Sequence, residues 1–138
     1  MSDIIRFGVS LNKDLLEKFD RLIKIKGYSN RSEAIRDLIR EELVKREWIA
    51  GEEVAGAITL VYDHHKRGLV NNLMDVQHDH HRIIISTQHI HLDHHNCLEV
   101  IVLRGKPKEV EKLAEGLSVL KGVKHSSLTM ATTGKELF

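Results

Sequence analysis

The sequence predicts an α+β protein in two parts, a strand–helix–helix unit followed by a unit in the order β-α-β-β-α-β. Apolar residues first alternate with polar ones and then recur every three or four positions, up to about Trp48. Alternation returns after Glu52 and is interrupted twice by helical spacing. All ten histidines lie after residue 63, so composition divides the chain at a similar place. We therefore expect one domain over residues 1–48 and a second over residues 52–138.

Composition is typical of a cytoplasmic globular protein. Of the 138 residues, 41% are hydrophobic and 30% charged, and no run approaches the roughly 20 apolar residues that a membrane span needs. The opening MSDIIRFGVSLNKD has charges on both sides of a short apolar stretch, unlike a secretion signal. The single cysteine cannot form an internal disulfide, which agrees with a reducing compartment. The net charge of +1 neither favours nor excludes nucleic acid as a partner.

The first segment, IIRFGVSL, has the two-residue period of a strand with one buried face. One face carries Ile5, Phe7 and Val9, and the other carries Arg6, Gly8 and Ser10. Two amphipathic helices follow. Asn12 can cap the first helix, which Gly27 ends, and Asn30 can cap the second.

A unit this small needs a partner, because one strand has no neighbour and two short helices cannot enclose a core. In a twofold dimer the two strands pair into a ribbon whose outer face fits the DNA major groove. The start of the second helix then offers backbone N–H groups to a phosphate. The predicted DNA contacts are Arg6, Gly8, Ser10, Asn30, Arg31 and Ser32.

The stretch GYSNRSEAIRDLIRE resembles the ribbon-helix-helix DNA-binding family. An alternating strand before two amphipathic helices is more often an ordinary piece of a larger α+β core. The position of the strand near the start and its polar outer face favour the ribbon.

In the second half, VAGAITLVY reads as a strand and Leu69, Leu73 and Val76 as one face of a helix. The segments RIIISTQHIHL and CLEVIVLRG, separated by DHHN, predict a hairpin. A helix beginning near Pro107 and a last strand around VKHSSLTMAT complete the ferredoxin-like order β-α-β-β-α-β.

The segment HIHLDHHNC, residues 89–97, predicts a metal site. His89 and His91 lie two apart on one strand, so both rings project from the same face. Cys97 shares that face if residues 92–96 form a five-residue loop. Three such ligands leave a divalent ion short of a fourth, for which His78 near the end of the preceding helix is the candidate. Nickel or copper would suit a square-planar arrangement and zinc a tetrahedral one, and spacing does not choose between them.

The spacing of His78, His89, His91 and Cys97 behind a ribbon-helix-helix unit resembles the nickel-responsive transcriptional regulators. The resemblance extends over nearly the whole chain and includes NRSEAIRDLIRE and HIHLDHHNCLE. It implies an ACT-like second domain and a homotetramer built as a dimer of dimers. It also implies one square-planar Ni²⁺ per subunit, with His78 donated by a partner chain and Glu99 supporting the ligands. The implied role is a repressor of nickel-uptake genes that binds a palindromic operator when nickel is bound.

Several further residues have weaker predictions. Glu33 and Asp37 match a cation site of the family, although two acids four residues apart are as often a solvated helix face. His64, Asp75 and Asp79 are candidates for secondary metal sites. We expect the other additional histidines to be exposed loop or helix-end residues, and His125 to be structural. Where the family commonly has a hydroxyl side chain on its strand, this sequence has Gly8, so we expect one base contact fewer and a different operator preference.

Two other classes of function compete with a regulator. A zinc metallohydrolase needs an open coordination position and a general base, but the sequence has no HExxH motif and four protein ligands would close the site. A nickel storage or delivery protein would leave the ribbon unit unexplained. We therefore predict that the chain is not an enzyme.

Overall fold

The computed structural model describes residues 3–138. The chain divides into two compact units. One takes in the residues up to Leu43 together with Leu137 and Phe138, and the other runs from Val44 to Glu136. Among the described residues, no helix is both long and apolar enough to cross a membrane.

The first unit contains helix α1 (Lys13–Lys26) and the start of helix α2 (Arg31–Ala50). The side-chain oxygen of Asn12 accepts a hydrogen bond of 2.8 Å from the N–H of Leu15. Gly27 ends α1 in the left-handed conformation, with φ of 79°. The side-chain oxygen of Asn30 accepts from the N–H of Glu33 at 3.0 Å. The predicted caps are therefore confirmed.

Residues 3–12, which include the strand predicted over residues 4–11, form neither helix nor strand in the single chain. Ile5 is 84% exposed and Phe7 is 71% exposed. A strand needs the backbone of a neighbour to complete its hydrogen bonds, and within this chain that neighbour is not supplied. The pairing of two such segments remains a prediction.

The second unit has the predicted order of elements. They are β1 (Val54–Asp63), α3 (Leu69–Asp79), β2 (Ile84–His91), β3 (Asn96–Gly105), α4 (Pro107–Ser118) and β4 (Val123–Met130). The sheet order is β2-β3-β1-β4 and all three pairings are antiparallel. This is the ferredoxin-like arrangement, so the predicted α+β fold class is confirmed.

One face of the sheet and the two helices form the core. Alternate residues of β1 are buried, including Ile58, Leu60 and Tyr62, because a strand turns every second side chain to the same face. Fully buried residues of α4 pack in the same cluster; they are Val110, Leu113 and Leu117. The carboxyl-terminal ends of β1 and β2 and the start of β3 therefore carry their side chains on fixed sheet positions, and these ends hold the candidate site.

Candidate metal centre

The β2–β3 hairpin places the predicted ligands on one face. His91 pairs with Cys97, and His89 pairs with Glu99. The intervening loop is closed by a hydrogen bond of 2.9 Å from the N–H of Leu92 to the carbonyl of Asn96. The loop of residues 92–96 therefore has the odd number of residues that places His91 and Cys97 on one face.

Cys97 lies at the centre of a group of three donors. Its Sγ is 3.1 Å from Nδ1 of His64 and 3.3 Å from Nδ1 of His91. The side chain is fully buried, and burial raises the pKa of the thiol, as do the nearby carboxylates. Burial also lowers the pKa of His64, which favours the neutral imidazole that binds metals.

His89 is held at a second position beside this group. Its Nδ1 lies 3.5 Å from the hydroxyl of Tyr62 and 3.9 Å from Oε1 of Glu99. Gln77 donates a hydrogen bond of 2.9 Å to the other oxygen of Glu99. Burial raises the pKa of Glu99, whereas the hydrogen bond from Gln77 and the charge of His89 lower it. The ring centroids of His89 and His91 are 5.3 Å apart.

His78, the fourth predicted ligand, lies in the last turn of α3 and is exposed. Its ring stacks on that of His81, with centroids 5.8 Å apart. Within residues 3–138, His78 belongs to neither group of three or more side chains whose donors converge. The single chain brings His64, rather than His78, to the cysteine.

These donors suit a borderline or soft transition ion. One donor atom from each of His64, His91 and Cys97 lies within 4.8 Å of the others. Imidazole with thiolate is a ligand set for zinc, copper or nickel, whereas magnesium and calcium prefer oxygen. The residues present therefore fit the predicted metal chemistry.

The second convergent group was missed by our sequence analysis. It contains Asp63, His65 and His95, and was hidden because we read the additional histidines as exposed loop residues. The signal was available in part. One histidine pair, at 64–65, directly follows the end of β1, and the other, at 94–95, directly precedes the start of β3.

The other predicted metal residues are dispersed. The hydroxyl of Tyr28 donates to Asp37 at 2.7 Å, and Arg40 lies 3.6 Å from the other oxygen of Asp37. A cation at Glu33 and Asp37 would have to compete with these partners. Asp75 and Asp79 are exposed and belong to neither convergent group of the described chain.

The predicted DNA-contacting residues are exposed; they are Arg6, Gly8, Ser10, Asn30, Arg31 and Ser32. Arg31 already has a partner. Its Nε and Nη2 donate to the two carboxylate oxygens of Asp20, each at 2.9 Å. Sequence spacing did not predict this pair, because its members lie on different helices.

Two family models match the chain. Residues 55–131 match the NikR C terminal nickel binding domain, and residues 5–46 match the ribbon-helix-helix protein, copG family. The chain belongs to the nickel-responsive regulator family. This family consists of transcription regulators, so the prediction that the chain is not an enzyme is confirmed.

Relatives of this family match from end to end. The chain is 58% identical over 135 residues to a protein of Syntrophus aciditrophicus, covering 98% of both chains. It is 60% identical over 132 residues to a protein of Chlorobaculum tepidum, covering 96% of this chain and 98% of that one. It is 59% identical over 138 residues to a protein of Geobacter sulfurreducens, covering 99% of both. Each of these relatives carries the name "putative nickel-responsive regulator".

A solved structure shares the fold of part of this regulator. It is an uncharacterized protein of Thermotoga maritima, 14% identical in sequence, with a TM-score of 0.52. The match covers 56% of this chain and 96% of that one. At this identity the likeness concerns the fold alone.

Proposed function

We propose that this regulator is a nickel-dependent repressor that binds a palindromic operator when Ni²⁺ is bound, one ion per subunit. It acts in the cytoplasm as a homotetramer, a dimer of dimers, and controls genes for nickel uptake. The domain over residues 1–48 binds DNA and the domain over residues 52–138 binds nickel and forms the tetramer. Membership of the nickel-responsive regulator family and the convergence of donors on Cys97 support the proposal.

The nickel ligands of this proposal are His89, His91 and Cys97 of one chain and His78 of a partner chain. The register of the hairpin supports the first three, since it sets them on one face. The exposure of His78 supports the fourth, because an exposed imidazole near the end of a helix can reach another subunit. Two imidazoles and a thiolate from one chain leave one place of a square-planar nickel site to be filled.

The contact between His64 and Cys97 then belongs to the metal-free chain. At 3.1 Å, Nδ1 of His64 can stabilise the buried sulfur when no ion does. Because only the thiolate binds a metal, the raised pKa of Cys97 means that nickel uptake releases a proton there.

Regulation follows from linkage. A ligand set divided between chains favours one arrangement of the subunits, and DNA favours one spacing of the two ribbon units. If both prefer the same arrangement, each raises the affinity for the other by the same factor. Nickel therefore tightens operator binding without touching DNA.

The shared site can be tested by mixing subunits. His78→Ala and Cys97→Ala chains are co-expressed with different tags, and assemblies that carry both tags are purified. A His78→Ala chain supplies the cysteine side of the site and a Cys97→Ala chain supplies His78, so each mixed pair contains a complete site. The nickel–thiolate absorption, missing from both homogeneous variants, should return in the mixture. If it does not return, His78 acts within its own chain; if homogeneous His78→Ala protein keeps the absorption, His78 is not a ligand.

The regulatory role is tested with DNA selected from a random duplex pool by the nickel-loaded protein. We expect a palindromic sequence that the nickel form binds more tightly than the metal-free form, with strong salt dependence. Arg6→Ala should lose DNA binding and keep the nickel spectrum, whereas Arg67→Ala, which removes an equal charge from the loop after β1, should keep both. Equal affinity of the metal-free and nickel forms contradicts the proposal, and full operator binding by Arg6→Ala favours nickel storage.

A further inference from the structure

The second convergent group lies outside the proposed nickel ligands. Asp63 is at the end of β1, His65 is in the loop that follows, and His95 is in the β2–β3 loop. One donor atom of each lies within 4.8 Å of the others. The ring of His94 is 5.1 Å from that of His65 and 4.9 Å from that of His95, so a fourth imidazole is close.

The backbone brings these residues together. Asp63 is paired with Asn96 in the register of β1 and β3. Beyond that pair, the N–H of His64 donates to the carbonyl of His95 at 3.2 Å, which joins the two loops. The N–H groups of His95 and Asn96 donate to Asp93 at 2.9 and 2.8 Å and hold the hairpin loop in place. The grouping is therefore set by the pairing of β1 with β3 and by hydrogen bonds of the two loop backbones rather than by the chance placement of long side chains.

The distances allow a common ion after a small adjustment. Zinc binds imidazole nitrogen and carboxylate oxygen at about 2.0–2.2 Å, so neighbouring donors on a tetrahedral ion are about 3.4 Å apart. Nδ1 of His65 already lies 3.6 Å from Oδ1 of Asp63. His65 and His95 are exposed, so their rings can rotate to close the remaining gap of at most about 1.4 Å without disturbing a packed core.

We propose that Asp63, His65 and His95 form a second site for a divalent transition ion, separate from the nickel ligands and open to solvent. Imidazole and carboxylate donors suit zinc, copper or nickel and discriminate against magnesium and calcium, which prefer all-oxygen sites. Three protein ligands leave at least one coordination position for water. This inference stands apart from the repressor proposal, because it concerns residues that the nickel site does not use.

The second site should bind more weakly than the site at Cys97. It has no thiolate, it is exposed, and the charge of Lys124 acts on Asp63. Lys124 is held close by a hydrogen bond of 2.6 Å from its ammonium to the side-chain oxygen of Asn96. A nearby positive charge opposes the binding of a cation.

Zinc titration of the full-length protein provides the test. Zn²⁺ is added to Cys97→Ala protein, in which the cysteine site is disabled, and the ¹⁵N resonances of the histidine rings are followed by NMR. The ring nitrogens of His65 and His95 should shift, and those of His125 on β4 should not. In equilibrium dialysis, the His65→Ala/His95→Ala variant should bind zinc at this site at least about tenfold more weakly, since even contacts outside a ligand set contribute 10–100-fold. His125→Ala is the matched control, because it removes an exposed histidine that belongs to neither group.

Two results would overturn the inference. One is that the double variant binds as many zinc ions as the wild type with the same affinity, while the His65 and His95 resonances of Cys97→Ala protein do not shift. The other is loss of the nickel–thiolate absorption in the double variant, because the two histidines would then belong to the cysteine site. Loss of zinc from the double variant with an intact nickel spectrum supports two separate sites, whatever the outcome of the DNA experiments.

Discussion

Replacing Glu99 by glutamine tests whether its carboxylate tunes His89, a nickel ligand in our proposal. Glu99 is 9% exposed, and its Oε1 lies 3.9 Å from Nδ1 of His89. A metal on the far nitrogen of the ring makes the near N–H more positive, and a carboxylate acceptor increases the basicity of the ligand. Glutamine has the same shape, and its oxygen can still accept the hydrogen bond from Gln77, but it carries no charge.

The size of the effect follows from two estimates. Two unit charges 3.9 Å apart attract by about 4 kcal/mol at an effective dielectric constant of 20. The charge on the ring is only partial and the side chain of His89 is 41% exposed, so solvent screening reduces this to about 1–3 kcal/mol. Contacts that support ligands are worth about 10–100-fold in metal affinity, which corresponds to about 1.4–2.7 kcal/mol. Both estimates predict nickel binding that is about 10–100-fold weaker.

The assay is a competition for nickel against a chelator of known affinity, for the wild type, Glu99→Gln and Glu99→Ala. Metal-free Glu99→Gln should unfold in urea at the same or a higher concentration than the wild type, since burial of a charge is removed. Glu99→Ala also leaves Gln77 without its acceptor and should be less stable. A nickel affinity of Glu99→Gln within threefold of the wild type would refute the reasoning, because about 1 kcal/mol is the least that the geometry predicts.

Four further predictions concern stability, DNA binding and the pH dependence of stability. Ile101→Ala should lower the free energy of unfolding in urea by about 2–5 kcal/mol, because this side chain of β3 is fully buried in the core cluster. Gly56→Ala should cost about 1–3 kcal/mol in the same assay, since its Cβ would lie 2.9 Å from the carbonyl oxygen of Thr129. Asp20→Asn should tighten binding to DNA of any sequence at low salt by up to about fivefold, because it frees Arg31 for phosphate. The hydrogen bond from Arg31 lowers the pKa of Asp20, so the stability contributed by this pair is present above the ordinary aspartate pKa and is lost as pH falls through the lowered value. Asp20→Asn should abolish this acid-dependent contribution in pH-dependent urea unfolding.

Matched substitutions separate these effects from a general loss of stability or a general change in charge. Ile85→Ala removes the same number of atoms from a residue that is 62% exposed and should change stability little. Gly8→Ala places a methyl group where nothing lies within 4 Å, at a glycine without a positive φ, and should change stability little. Asp14→Asn removes one acidic charge from the first turn of α1 without freeing Arg31. Equal effects in a variant and its control would contradict the corresponding prediction.

Local sequence pattern was sufficient for the secondary structure of the second unit and for the helix caps. Alternation and helical spacing depend on backbone geometry over a few residues, so Asn12, Gly27 and Pro107 could be assigned without tertiary information. The face shared by His91 and Cys97 also follows from local geometry, because the length of one loop sets the register of one hairpin. The strand expected at residues 4–11 marks the limit of this reasoning, since a strand needs a neighbour for its hydrogen bonds and no segment of the described chain pairs with it.

The sequence by itself determined the order of the elements, the pairing of His91 with Cys97 and the likeness to nickel-responsive regulators. Only the tertiary structure placed His64 on the sulfur of Cys97 and gathered Asp63, His65 and His95. These neighbours come from β1 and from a hairpin about thirty residues later. Their meeting depends on which strands pair and in which register, a choice made by burial of the whole core rather than by the residues that meet.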